Sequence, residues 1–231
     1  GDYLALFAIS DLHLDLTGSK PMDIFGYNWA NHDEKIKKNW NSKITSEDKV
    51  LISGDISWSM NMEGGACDLE WVHQLPGTKL MIKGNHDYWW NSITKLNNMY
   101  EDMGFIQNNF FTYKDYGICG TRGWNCPESD NFSVHDEKIY KRELLRMKNS
   151  LNCAVEAGYK KFIVMIHYPP ISEKFMSSGF TDIFEEYGVE KVIYGHLHGE
   201  SLSRAVTGKL NGVEYILASA DYVKFNPIRI I

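Results

Sequence analysis

Short apolar runs recur along this chain, and each stops at a glycine, a proline or an acid followed by polar side chains unsuited to a core. Residues 4–9 (LALFAI), 49–53 (KVLIS), 80–82 within KLMIKGNHD, 161–166 (KFIVMI) and 191–194 (KVIY) have the length and the flanks of buried strands. Helical spacing fills the stretches between them. Trp29, Ile36, Trp40 and Ile44 predict one helix, and Leu69, Val72 and Leu75 a second, closed by Pro76 and Gly77. Trp89, Ile93, Leu96, Tyr100 and Met103 predict a third that runs to Gly104. Residues 135–157 form a long amphipathic helix ending at Gly158, and Phe180, Ile183, Phe184 and Tyr187 a short helical face stopped by Gly188. Two hairpins are expected, 110–113 with 116–120 across Lys114 and Asp115, and 202–206 with 213–218 across residues 208–212. Residues 15–27, punctuated by Gly18, Pro21 and Gly26, read as a loop.

Composition narrows the picture without deciding it. The chain has 231 residues, 43% of them hydrophobic, enough for one sizeable core, so a single domain spanning 1–231 is expected. The net charge is -6 and there is no Lys/Arg run, so a basic footprint for duplex nucleic acid is absent and any phosphate must be held locally. Cys67, Cys119, Cys126 and Cys153 show neither CxxC spacing nor a disulfide pattern, which fits a reducing cytoplasm. The opening apolar run lacks a basic segment before it and leads into DLHLD, so it reads as a first strand and not as a signal peptide. No stretch is long enough for a membrane span.

The chemistry lies at the strand ends. Five of the eight histidines (His13, His86, His167, His196 and His198) fall just after apolar runs, beside glycine, acid or proline. In open α/β sheets, ligands bind at the carboxyl ends of strands. Asp11 and His13, two apart on extended backbone, point to one side and reach one ion together, and Asp15 could continue the row. His196 and His198, also two apart, are expected to repeat that geometry. Asn85, His86 and Asp87 offer a neutral oxygen, a group titrating near neutrality and an anion, a set that suits a metal and a phosphate.

Together these blocks resemble the calcineurin-like metallophosphoesterase superfamily, whose pattern is DxH, GD, GNHD or GNHE, a lone His, and GHxH. They stand here as Asp11-Leu12-His13, Gly54-Asp55, Gly84-Asn85-His86-Asp87, His167 and Gly195-His196-Leu197-His198, over roughly residues 5–200. The resemblance implies a four-layer α/β/β/α sandwich of two mixed, largely parallel sheets flanked by helices. It also implies a centre of two divalent ions, one held by Asp11, His13 and His198, the other by Asn85, His167 and His196, with Asp55 between them. Nitrogen and oxygen donors without thiolate suit manganese, iron or zinc. The expected activity is hydrolysis of a small phosphomonoester or phosphodiester by a bridging hydroxide, with His86 protonating the leaving group or stabilising the phosphoryl oxygens.

Weaker candidates surround this set. Arg122 on its glycine loop and Tyr168 before two prolines are candidate substrate contacts, and Asp87 either orients a loop or ligand imidazole from behind the ligands or is an exposed turn acid. Trp58, Trp89, Trp90 and Trp124 either stack on a base or belong to the core. In the Ser/Thr protein phosphatase branch the second block reads GDxxDRG. Here it is Gly54-Asp55-Ile56-Ser57-Trp58-Ser59-Met60, without the second acid and the arginine, so the chain looks more like compact bacterial phosphodiesterase-type members. A nuclease on single-stranded DNA or RNA and a non-catalytic metal-binding scaffold are the alternatives. Substrate choice is expected in loops 14–27, 58–65 and 121–133.

Overall fold

The computed structural model describes residues 4–18 and 22–231. Among these residues, eleven strands pair into two sheets. The first has the order β11 (Ile228–Arg229), β1 (Leu6–Ala8), β2 (Lys49–Ile52), β3 (Thr78–Met81), β4 (Met103–Phe105), all parallel except β11. The second has the order β5 (Phe111–Tyr113), β6 (Tyr116–Thr121), β7 (Lys161–Ile166), β8 (Lys191–Tyr194), β10 (Val213–Leu217), β9 (Gly208–Leu210). Its inner four strands are parallel, and β5 and β9 close it as antiparallel hairpin partners.

Alternation along the strands explains how the layers stack. Residues two apart share a face, and here each strand splits its side chains between two cores. Leu6, Ala8, Leu51, Leu80, Ile82, Ile163, Met165 and Ile193 meet between the sheets. Phe7, Val50, Ile52 and Met81 face α1 (His32–Lys43) and α2 (Met62–His73), which supply Ile36, Trp40, Leu69 and Val72. Val164, Ile166, Val192 and Tyr194 face α4 (Val134–Glu156) and α5 (Gly179–Tyr187), which supply Met147, Leu151, Phe180 and Phe184. The result is the expected four-layer sandwich. No helix among the described residues is long and apolar enough to cross a membrane.

The sheets also touch at their carboxyl ends. Ser10, just past β1, bridges in parallel to Ser219, just past β10. Ser53 Oγ donates to Ile193 O at 3.1 Å, tying the tip of β2 to β8.

Four expectations need correction. The helix expected from Trp89 to Gly104 is only α3 (Ile93–Asn97), because Met103, Gly104 and Phe105 pair with β3 as an edge strand. Residues 202–204 lie in a 3-10 helix (Gly199–Arg204), and the strand that pairs with β10 is β9, three residues of Gly-Lys-Leu. Residues 62–65, expected in a loop, already belong to α2, whose cap is Asn61 accepting from Gly64 N. The 15–27 loop contains 3-10 turns at Met22–Phe25 and Tyr27–Trp29, while Pro21 lies outside the described residues.

Candidate metal centre

All five motif blocks leave carboxyl ends of strands and converge. Asp11 and His13 follow β1, Asp55 follows β2, and Asn85, His86 and Asp87 follow β3, so one sheet supplies this half. The other sheet supplies His167 after β7 and His196 and His198 after β8. Asp11, His13, Asp55 and His167 are buried, whereas His86 is about a third exposed.

The side chains meet in two groups. In the first, His198 Nε2 lies 3.1 Å from Asp11 Oδ1 and 3.3 Å from His13 Nε2, and His13 Nε2 lies 3.9 Å from Asp11 Oδ1. In the second, His167 Nε2 and His196 Nδ1 lie 2.8 and 3.3 Å from Asn85 Oδ1 and 3.3 Å from each other. Asp55 Oδ2 stands between the groups, 3.6 Å from His13 Nε2 and 3.4 Å from His167 Nε2. Donor atoms bound to one ion at about 2.1 Å are about 3.0–3.4 Å apart, so most of these separations are those of a coordination shell. The far ring nitrogens of His167 and His198 face acceptors, Ser53 O at 2.8 Å and Asp221 Oδ1 at 2.9 Å. That fixes the rings and turns Nε2 inward, where it would give its lone pair to a cation that displaces the proton. The donor set, its spacing and its orientation fit divalent cations.

The electrostatics agree. Burial alone would raise Asp11 and Asp55, but the neighbouring His167 and His198 charges hold Asp11 below the usual carboxylate range, and His167 with His86 does the same for Asp55. Burial pushes His13 and His196 down to about 4, helped at His196 by the charge of His167. Burial is outweighed at His167 by Asp55 and Asp11, which lift it to about 9, and at His198 by Asp11 and Asp221, which lift it to about 10. Within each facing pair one imidazole is therefore favoured as the cation and its neighbour as the neutral ring. The cradle attracts positive charge and cannot satisfy that attraction with fully protonated rings.

Convergence depends on bent backbone. Asp11, His13, Asp55 and His196 have φ of 57°, 44°, 51° and 73°. These are left-handed conformations, uncommon outside glycine and concentrated at functional sites. The expectation that Asp11 and His13 point together from extended backbone is therefore wrong in its reason although they do meet. For the other pair it is wrong outright, since His196 turns to Asn85 and His167 while His198 turns to Asp11 and His13. Asp15 stays outside the cluster and lines a separate cleft with Asp23 and His32.

Gly84 acts through space. A Cβ there would run into the carboxylate and backbone nitrogen of Asp55, so glycine is what lets the tips of β2 and β3 touch. Gly84→Ala is expected to displace Asp55, lower the melting temperature and reduce bound metal well below that of the parent, measured by thermal melts and elemental analysis.

Asp87 is fully buried and is not a turn acid in solvent. Its Oδ2 accepts from Gly84 N at 2.6 Å and Asp55 N at 2.8 Å, and its Oδ1 from Ile56 N at 2.9 Å, Ser57 N at 3.2 Å and Trp89 Nε1 at 3.0 Å. It holds loops and not an imidazole. Burial, then the nearby Asp55 charge, push its pKa up to about 6 against those donors, so it is a carboxylate at neutral pH.

The remaining candidates sit at the rim. Tyr168 packs its ring 4.5 Å from that of His196. Arg122 lays its guanidinium 4.7 Å from the Trp124 ring centre, while its carbonyl accepts from His167 N and Tyr168 N at 3.0 and 3.1 Å. Trp89 is core, but Trp58 stacks 4.6 Å from His13 and lies 4.3 Å from His86. Asp221, which orients His198, is the residue that sequence reasoning missed. Its signal was a carboxylate just past a sixth strand end, β10, with no histidine beside it to mark it.

Comparison with known proteins adds a family and a fold. The family described as calcineurin-like phosphoesterase matches residues 4–200. A Gene 66 protein of Mycobacterium phage L5 is 36% identical over 78 residues, 34% of this chain and 37% of the phage protein, so the chain matches well under half of that relative's length. Among solved structures, phosphopantetheinyl hydrolase from Mycobacterium tuberculosis superposes with a TM-score of 0.62 at 14% identity, covering 98% of this chain and 95% of that one. A protein of unknown function from Aquifex aeolicus superposes with a TM-score of 0.52 at 16% identity and the same coverage. At such identities the two structures speak for the fold.

Proposed function

Because the chain belongs to the calcineurin-like phosphoesterase family, we propose that it is a hydrolase of phosphoester bonds, acting on a phosphomonoester or phosphodiester at a dinuclear centre. Asp11, His13 and His198 would hold one ion and Asn85, His167 and His196 the other, with Asp55 between them. The observation that carries this reading is the position of Asp55 Oδ2, 3.6 Å from His13 Nε2 in one group and 3.4 Å from His167 Nε2 in the other. When bound, a pair of divalent ions neutralises charge on the phosphoryl oxygens and activates water.

The chain's own groups account for the rest. His86 N donates to Asp55 Oδ1 at 2.9 Å and its ring Nδ1 faces Asp55 Oδ2 at 3.0 Å. A proton held on Nδ1 by that carboxylate leaves Nε2 as the ring atom able to carry a proton to a leaving oxygen. Asp87, accepting from Asp55 N, Ile56 N and Ser57 N, holds the main chain that carries that carboxylate. Tyr168 and Trp58, packed against His196 and His13, cover the imidazoles from two sides and limit water around them. The core shared by both sheets supports reading residues 1–231 as a single domain.

Purified protein supplied with manganese is expected to turn over bis(p-nitrophenyl) phosphate or p-nitrophenyl phosphate. A chelator should remove both metal and activity, and re-addition of manganese should restore them. Inertness on a broad phosphoester panel with manganese, iron and zinc would overturn the proposal.

A further inference from the structure

Two clefts flank the His/Asp cluster, and they have no lining residue in common. One, of about 520 Å³, has His13, His86 and His198 along its polar side and Phe25, Trp29 and Trp58 along its apolar side. The other, of about 420 Å³, meets the cluster through His196 and runs outward past Tyr168, Trp124 and Phe175 to a charged rim that includes Lys174 and Arg204. A phosphomonoester carries one substituent on phosphorus and needs one such space. A diester carries two.

We propose that the substrate is a phosphodiester with one substituent in each cleft, the leaving one apolar or aromatic and the retained one polar at its far end. The proposal rests on the phosphoesterase reading above and adds the substrate class. His86 lines the first cleft and not the second, so the oxygen it can protonate belongs to the arm lying there. The apolar side of that cleft continues into exposed side chains, with Phe25 65% exposed and its neighbours Ile24 and Tyr27 75% and 98% exposed. Apolar groups gathered at the mouth of a catalytic cleft gain by covering an apolar ligand. The second cleft ends among Asp130, Glu173, Lys174 and Arg204, charges suited to hydroxyl, amide or ionic groups. In the reaction a water oxygen bonds to phosphorus and the P–O bond to the first-cleft arm breaks. That arm departs as an alcohol with one proton by way of His86, and the second proton of the water goes to solvent.

The test uses manganese-loaded full chain and two phosphinates of equal charge that cannot be hydrolysed, diphenylphosphinate and methylphenylphosphinate. By calorimetry the diphenyl compound is expected to bind about tenfold more tightly, the gain from seating a second ring. Phe25→Ala and Phe175→Ala should each shrink that ratio towards one. With methyl p-nitrophenyl phosphate, whose retained arm is small, Phe25→Ala should lower kcat/KM about 5- to 30-fold, chiefly through KM, a clearly larger loss than Phe175→Ala causes. Phe175→Leu replaces Phe175→Ala if thermal melts show the latter unfolded. A wild-type ratio near one, or equal losses in both variants on the methyl ester, would overturn the proposal. Faster turnover of p-nitrophenyl phosphate than of the diesters would overturn it while leaving the phosphoesterase reading intact. Inertness towards all of these esters would remove both.

Discussion

His86→Ala is expected to lower kcat by about 10²- to 10⁴-fold while leaving the metal content unchanged. The two halves of that outcome have separate structural causes. The ring is about a third exposed, lines the cleft and bonds to Asp55 through one nitrogen, which is the placement of a proton carrier. The backbone nitrogen of residue 86 donates independently to Asp55 Oδ1, so that carboxylate keeps a tether when the ring is gone. The loss should also depend on the leaving group. A nitrophenolate departs with little help, whereas an alkoxide needs the proton, so alkyl esters should suffer more than nitrophenyl esters. Because His86, His13 and Asp55 also form a possible cation-binding trio, elemental analysis of the variant is decisive. Loss of one ion along with rate would reassign His86 as a ligand.

Asp87→Ala is expected to be the most destabilising single change near the centre, costing about 3–5 kcal/mol. Four backbone N–H groups and one indole N–H converge on this carboxylate in a fully buried setting, and alanine leaves all five without it. For a chain of this size the fall in melting temperature would be roughly 10 °C. Asp55 and Gly84 would lose their anchor as well, so metal should bind more weakly than in the parent. Asp87→Asn separates charge from shape, because an amide keeps one acceptor but turns two N–H donors towards other donors. Urea unfolding of both variants checks this, and a variant Asp87→Asn as stable as the parent would show that the carboxylate is not what joins the loops.

The sequence exposed most of this site because chemistry and strand ends coincide. An apolar run followed by glycine and polar ligand types marks its own carboxyl end, and that happened at β2, β3 and β8, with Ser10-Asp11 marking the end of β1 and proline that of β7. What stayed hidden had no such mark. Met103-Gly104-Phe105 is short enough to satisfy helical and strand spacing alike, and only its pairing with Lys79, Leu80 and Met81 decides the matter. Strand β11 has two residues and exists through its partner β1. Asp221 lies 23 residues beyond His198 after Ala218, Ser219 and Ala220, and its contact to His198 is purely tertiary. Trp58 could not be told from a core tryptophan, since its stacking on His13 and its contact with His86, which distinguish it from Trp89, are tertiary.

The centre straddles a seam, with Asp11, His13, Asp55 and Asn85 hanging from one sheet and His167, His196 and His198 from the other. Its dimensions are therefore set by how the sheets rest on each other, through Leu80, Ile163, Ile193 and Ala218 in the layer between them. A slip of a single residue along a strand is about 3.3 Å, as large as the gap from Asp55 to His167. A wedge such as Ala218→Leu, placed among the apolar side chains of that layer, is therefore expected to lower the proposed hydrolytic activity without touching a histidine. In this architecture the greasy middle layer serves as the gauge block against which the reactive groups are aligned.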